Sequence, residues 1–334
     1  MTTERPIHCP DCDGDFEFTR RDFVKTVGAG AVAVGVSPLL ASAAPTPKSA
    51  GETVVKKFYD SLSADQKKAV CFPFGHKLQT RLSANWLVTP KKIGDDFYSD
   101  AQRDLIDQVV KAVASEDGYD RLKLQMKDDR PKGINDYAVA VFGTPGTGKF
   151  QWELTGRHLT LRCDGDSAEN MAFGGPIVYG HGVPNPKKNL FHYQTKQTNE
   201  VFKSLDGKLR EKALLDTAPT ESRVPLQGKA GKFPGISVSE LSSDQKQLVE
   251  KSLKVILSPY RKEDVEEAMD VLKKGGGVDK LHMAFYKNDA RGNSVDLLKD
   301  QVWDVWRVEG PTFVWHFRGA PHVHAYINIG MKKA

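Results

Sequence analysis

Three times along the chain, apolar residues at helical spacing follow the same polar start. Ser63-Ala64-Asp65-Gln66, Ser99-Asp100-Ala101-Gln102 and Ser242-Ser243-Asp244-Gln245 each place a serine three residues before a glutamine. This is capping-box spacing, in which two side chains satisfy the free backbone N–H groups of a helix start. Behind Ser99 the apolar stripe is Leu105, Ile106, Val109, Val110 and Val113; behind Ser242 it is Leu248, Val249, Leu253, Val255 and Ile256. Both predict amphipathic helices with one face on a core.

The segments behind the last two starts are alike beyond these helices. After Ser99 the pattern predicts a helix, a break at Gly118-Tyr119, a second helix to about Lys127, a strand over Tyr137–Phe142 and a strand through Trp152-Glu153-Leu154-Thr155-Gly156. After Ser242 it predicts a helix, a break at Pro259-Tyr260, a second helix over Asp264–Lys274, a strand over Leu281–Tyr286 and a strand through Trp306-Arg307-Val308-Glu309-Gly310. A longer loop before the second Trp strand absorbs the difference in spacing. The shared order reads as an internal duplication, with repeats at about 98–190 and 241–330. The fold class expected is α+β, helix pairs packed on antiparallel strands in one domain over 53–330. The alternation in Gln151–Arg162, Trp303–Phe317 and His322–Ile329 predicts strands with one buried and one open face. A cleft between the repeats is the expected place for a site.

Gly143-Thr144-Pro145-Gly146-Thr147-Gly148-Lys149 satisfies the glycine and lysine spacing of a phosphate-binding loop. That motif also needs a Ser or Thr after the lysine and a helix beyond it. Here Phe150 takes the hydroxyl position and a strand-like run comes next, so the segment reads as a hairpin turn and no nucleotide is expected.

Composition is ordinary for a globular protein, 39% hydrophobic and 27% charged, with net charge +5. The basic surplus is spread thinly, without a run that tracks phosphates, so nucleic acid is not an expected partner. The N-terminal residues 1–43 read as an export signal. Arg20-Arg21 precedes Phe23 and Lys25, a short Gly- and Ala-rich apolar run covers Val27–Leu40, and Ala41-Ser42-Ala43 offers a small-residue cleavage site. The run is too short and too polar to span about 30 Å of hydrocarbon. The expected route is therefore the twin-arginine translocase, the destination the periplasm or the cell exterior, and the mature protein free of membrane insertion. That route carries folded proteins, which favours one that acquires a metal before leaving. Residues 44–52 read as a flexible lead-in. Cys9 and Cys12 resemble half a zinc site, but no second pair completes it. Cys71 and Cys163 are the only others, and their pairing is open.

Among the remaining histidines, His322-Val323-His324 has the most suggestive spacing. On a strand, residues two apart project from the same side, about 6.5–7 Å apart along the chain. His158, in Gly156-Arg157-His158-Leu159, adds an imidazole from the other repeat. Three neutral imidazoles with a fourth position left to water form a catalytic metal arrangement. A solvated His-x-His and a hydrogen-bonded core His158 are the bland alternatives. His181, in a Gly-rich stretch, is a fourth ligand or a bystander. Arg81 with Trp86, and Arg157 with Arg307, suit a carboxylate or an ion pair.

On these residues the chain resembles the uncharacterised family called domain of unknown function 3500, from about Phe58 to Ile329. The resemblance rests on Arg81, Trp86 and Pro90; Gln102-Arg103 with Gly118-Tyr119; Phe142-Gly143-Thr144-Pro145; Trp152 leading to Gly156-Arg157-His158-Leu159; Trp306-Arg307-Val308-Glu309-Gly310-Pro311; and His322-Val323-His324. There are departures. Arg157 stands for the first histidine of a pair, Pro321 for an asparagine, and Ile327-Asn328 where Trp-Arg-Asp is usual. The resemblance implies the family's fold and draws weight to His158, His322 and His324 as one site. It implies no reaction, and the Arg157 departure implies altered binding or activity if the replaced histidine is a ligand.

The function expected is an exported metal-dependent enzyme, most simply a hydrolase. Zinc or copper would sit on His158, His322 and His324, with Arg157 or Arg307 stabilising developing charge on an unidentified small-molecule substrate. The alternative is a non-catalytic periplasmic binding protein for a metal or small anion.

Overall fold

The three Ser-x-x-Gln starts are reciprocal capping boxes: Ser63, Ser99 and Ser242 each accept from the glutamine N–H, and each glutamine side chain accepts from the serine N–H. These contacts are seen in a computed structural model that describes residues 44–332. The first half runs α1 (Ala50–Ser61), α2 (Ala64–Val70), β1 (Cys71–Phe72), α3 (Asp100–Ala112), α4 (Glu116–Asp129), β2 (Ala138–Gly143), β3 (Phe150–Gly156), β4 (Leu159–Cys163) and β5 (Ile177–His181). The second runs α5 (His192–Ser204), α6 (Gly207–Ala213), β6 (Leu214–Thr217), β7 (Ile236–Ser237), α7 (Ser243–Leu257), α8 (Lys262–Lys274), β8 (His282–Asn288), β9 (Val305–Gly310), β10 (Phe313–Arg318) and β11 (Val323–Ile329). The chain is thus α+β. Helix α1 begins at Ala50, inside the stretch read as a lead-in, with Glu52 already buried. The export signal lies outside the described residues.

All eleven strands join one sheet in the order β1-β2-β3-β4-β5-β11-β10-β9-β8-β6, with β7 on β8. Pairing is antiparallel except where β1 meets β2 and β6 meets β8. From the central pair β5–β11, the strands run outward in matching order. Trp152 faces Val141 and Cys163 on its neighbours, and Trp306 faces Phe285 and Phe317. Each half also carries two helices ahead of its parallel edge strand and two behind it.

The helices cover one face of the sheet. Ile106, Val109 and Val110 of α3 and Val249, Leu253 and Ile256 of α7 are buried there with Trp152, Trp306 and Trp315. The other face, expected to be open, is buried as well. Trp86 and Val88 pack on Ala138, Ala140 and Phe142, and Val224 and Ala84 pack on Val178, Val314 and Tyr326. Polar residues on that face alternate as solvent-facing ones would, but they pair beneath the loops: Arg162 Nε lies 3.3 Å from Glu153 Oε2, and Arg307 Nε 2.7 Å from Glu309 Oε2. Two long strands predicted as continuous are each divided. The first turns at Arg157-His158, the second at Pro311-Thr312. The glycine-rich segment before Phe150 is the expected hairpin turn between β2 and β3.

The two helix hairpins meet at their bends. Ser115 N donates to Pro259 O at 3.0 Å, Ser115 Oγ to Ser258 O at 2.7 Å and Arg261 N to Val113 O at 3.3 Å. Gly118 is not the break the sequence suggested. It lies in the first turn of α4, its N–H capped by Ser115, because a Cβ there would sit 1.9 Å from Pro259 O. An exposed helical Gly→Ala change stabilises by about 1 kcal/mol. Gly118→Ala is instead expected to destabilise by about 1–3 kcal/mol through overpacking. A urea titration checks the sign, with Gly148→Ala, whose surroundings are open, as a near-neutral control.

Candidate metal centre

His158 is presented by the two-residue turn between β3 and β4. It takes a left-handed φ of 58°, uncommon for a residue with a Cβ. Its N–H donates to Ala84 O, and its ring Nδ1 lies 2.7 Å from Asp129 Oδ2. Asp129 ends α4 and is fixed on its other sides, accepting from Gln125 Nε2 at 2.6 Å and Gly182 N at 2.8 Å. Burial alone would raise the Asp129 pKa, but the hydrogen bonds from His158, Gln125 and Gly182 hold it below the usual carboxylate range. An ionised Asp129 fixes the proton on His158 Nδ1 and leaves Nε2 as a lone-pair donor. Gly182 makes this fit possible: a Cβ there would lie 2.5 Å from Asp129 Oδ1 and 3.3 Å from His158 Cε1.

The other two rings come from β11 and the residue before it. His324 pairs with Gly180 of β5, across the seam between the halves. Its Nδ1 lies 2.7 Å from Glu221 Oε1, on the loop after β6. Burial would raise the Glu221 pKa, but His324 and Arg318 hold it low. His324 therefore also turns a bare Nε2 inward. His322 Nε2 lies 3.1 Å from His324 Nε2. Ring centroids are 4.7 Å apart for His322–His324, 4.8 Å for His158–His324 and 5.0 Å for His158–His322. One ligand atom of each residue falls within 4.8 Å of the other two. Tetrahedral zinc with Zn–N bonds of about 2.0–2.1 Å places imidazole nitrogens about 3.3 Å apart. The closest pair, His322 and His324, is near that spacing.

Electrostatics favour the neutral form of His322 and His324. Burial, followed by the charges of His324, Arg318, His158 and Arg157, lowers the His322 pKa to about 4. Burial also lowers His324, against the opposing pull of Glu221. Neutral imidazoles are the form that binds a metal.

The other residues singled out in the sequence fall elsewhere. His181 is turned away from the cluster: its Nδ1 accepts from Leu190 N and its Nε2 lies 3.1 Å from Asp128 Oδ2. Arg157 stands beside His158 in the turn, and its carbonyl accepts from Tyr137 Oη. Arg307 is two strands from β11, held by Glu309 and by Arg223 O. The Arg81 guanidinium stacks on Trp86, 4.7 Å from the ring centroid. Cys71 and Cys163 are unpaired. Asp129, Glu221 and Arg318 belong to no motif in the sequence. The one available hint was two acidic residues, Asp128 and Asp129, at the end of an amphipathic helix. Beside His322 and His324 opens a cavity of about 630 Å³, also lined by Glu221, His316 and Arg318.

Compared with known proteins, the chain matches the family model described as "Protein of unknown function (DUF3500)" over residues 45–327. No curated protein and no solved structure matches.

The depressed His322 pKa sets a pH dependence for the metal-free protein. Between about pH 6.5 and pH 4 the unfolded imidazole takes up a proton that the folded one refuses, so stability falls as pH falls. Asp129 and Glu221, held low in the fold, add stability above their unfolded values that is lost at still lower pH. Urea unfolding across this range is expected to show His322→Ala with roughly one proton less in the slope. An identical slope would contradict the assignment.

Proposed function

Because the chain belongs to the DUF3500 family, whose description names no reaction, we propose a function from the site itself: an exported, metal-dependent hydrolase whose ion is held by His158, His322 and His324. The observation that carries this reading is the near-equilateral set of three imidazoles, two of them fixed at Nδ1 by carboxylates. Carboxylate–histidine–metal relays of this kind orient ligands and raise their basicity. A structural site is usually closed by four protein ligands, whereas three leave a position for water. Zinc, or copper with the same ligands, suits imidazole, and a bound zinc ion supplies a water acidic enough to act near neutral pH.

The chain's own residues divide the work. Asp129 and Glu221 fix the tautomers of His158 and His324. Arg157, whose charge acts on His322, is placed to stabilise negative charge developing on a substrate. Arg307, expected beside it, serves instead to anchor Glu309 within the sheet.

Residues 1–43 direct the folded protein through the twin-arginine translocase to the periplasm or beyond. No helix among the described residues is long and apolar enough to cross a membrane. The matching order of elements in the two halves supports an origin by duplication, with each copy starting near α1 and α5, ahead of the boundaries the sequence suggested.

Protein purified without chelators is expected to contain about one equivalent of zinc or copper by elemental mass spectrometry, and His158→Ala or His322→Ala to lose most of it. Turnover on a panel of esters, phosphate esters and glycosides is expected for at least one class, and its loss in His322→Ala. Bound metal without turnover would replace the hydrolase with a binding protein; absence of metal would overturn both.

A further inference from the structure

The cavity beside the histidines has a definite chemical character. Part of its wall is apolar, formed by Val295, Leu297, Val305, Ala320 and Pro321. Its two carboxylates are already engaged. Glu221 takes His324 Nδ1 on one oxygen and lies 2.6 Å from Arg318 Nε on the other, in an ion pair too bent for a hydrogen bond. Asp289 accepts from the backbone of Arg291 and Asn293 and from the Asn293 side chain. Neither is free to neutralise a further cation.

Arg318 is different. Its Nε side faces Glu221, while Nη2 points back toward the histidines, 3.5 Å from His322 Nε2. Nη1 has no hydrogen-bond partner among the described residues. The guanidinium thus presents one end of its planar fork to the cavity, next to the reacting position. Beside it on the same wall His316, 1% exposed, has a buried Nδ1 without a partner. A buried polar atom of this kind costs free energy unless something meets it.

We infer that this cavity binds an amphiphilic carboxylate: its apolar body lies along Val295, Leu297 and Val305, and its carboxylate sits on Arg318, a few atoms from the bond presented to the histidine centre. A planar fork and a planar carboxylate match two bonds at once. Arg291 also lines the cavity but is exposed to solvent, so the half-buried Arg318 beside the histidines is the stronger charged contact for this group. The volume falls in the range of small-molecule pockets, about 300–1,000 Å³. The inference rests on the hydrolase reading only for what happens to the bound molecule; the binding itself belongs to the chain.

Calorimetric titration of the full mature chain, with a chelator present, tests it using hexanoate, hexan-1-ol and hexylammonium. Hexanoate is expected to bind about tenfold or more tightly than either neutral or cationic analogue, the span of one charge-assisted contact. Arg318→Gln is expected to bring hexanoate down to the alcohol's affinity and leave the alcohol unchanged, while Arg318→Lys keeps part of the preference. Thermal melts confirm that both variants fold. Equal binding of hexanoate and the alcohol, or hexanoate binding indifferent to Arg318→Gln, would overturn the inference. Hexanoate binding that appears only after metal is added, and is untouched by Arg318→Gln, would also overturn it while leaving the metal centre standing. Preference for hexanoate in a protein that holds no metal would sustain the inference and remove the hydrolase.

Discussion

The site depends on one pairing, that of β5 with β11 at the middle of the sheet. Ile177 faces Ile327, Tyr179 faces Ala325 and Gly180 faces His324. Everything to one side of this ladder belongs to the first half of the chain and everything to the other side to the second. His158 sits on the turn beside β5's neighbour β4, His324 on the far strand of the pair and His322 just ahead of it. Side-chain period on a strand is two, so a slip of one residue would send His324 to the helix-covered face. The register is pinned by burial: Ile177, Ala325 and Ile327 are at most 1% exposed. Their burial, at about 25 cal/mol per Å² of apolar surface, opposes any such slip.

Around this ladder the polar groups form a chain of support. Asp129 comes from the end of α4 and Glu221 from the loop after β6, one carboxylate from each half. Each anchors the Nδ1 of the histidine presented by its own half. Both fixed tautomers turn free nitrogens toward the same point, as the proposed site needs. The strained φ of His158 points the same way, since a turn with a simpler residue would cost less. Burial and neighbouring charge keep His322 neutral well below neutral pH, which is the form the proposed metal site requires.

Local chemistry was legible in the sequence and long-range chemistry was not. The three capping boxes span four residues each and formed as read. The α3 and α7 stripes, which depend only on helical period, also lie in the core. His322 and His324 lie close together because they are two residues apart where β11 begins. His158 could be joined to them only through an echo between the halves and a family resemblance. Glu221 carried no signal and Asp129 only that of an acidic pair ending a helix, since their partners lie 103 and 29 residues away. The strand breaks at Arg157-His158 and Pro311-Thr312 were missed because the alternation runs on through them without an Asn-Gly or Gly-Gly turn signal. The open face expected of the sheet came from the same ambiguity. Glu153, Arg162, Arg307 and Glu309 alternate like solvent-facing residues, yet they pair with one another under the loops that carry Trp86 and Val224.

The central claim is that His158, His322 and His324 close on one ion. X-ray absorption at the metal edge of the loaded protein measures this most directly. The expected first shell is three imidazole nitrogens at about 2.0–2.1 Å plus one light oxygen donor, with one imidazole lost in His158→Gln. A first shell of oxygen donors alone, or a spectrum that His158→Gln leaves unchanged, would contradict it.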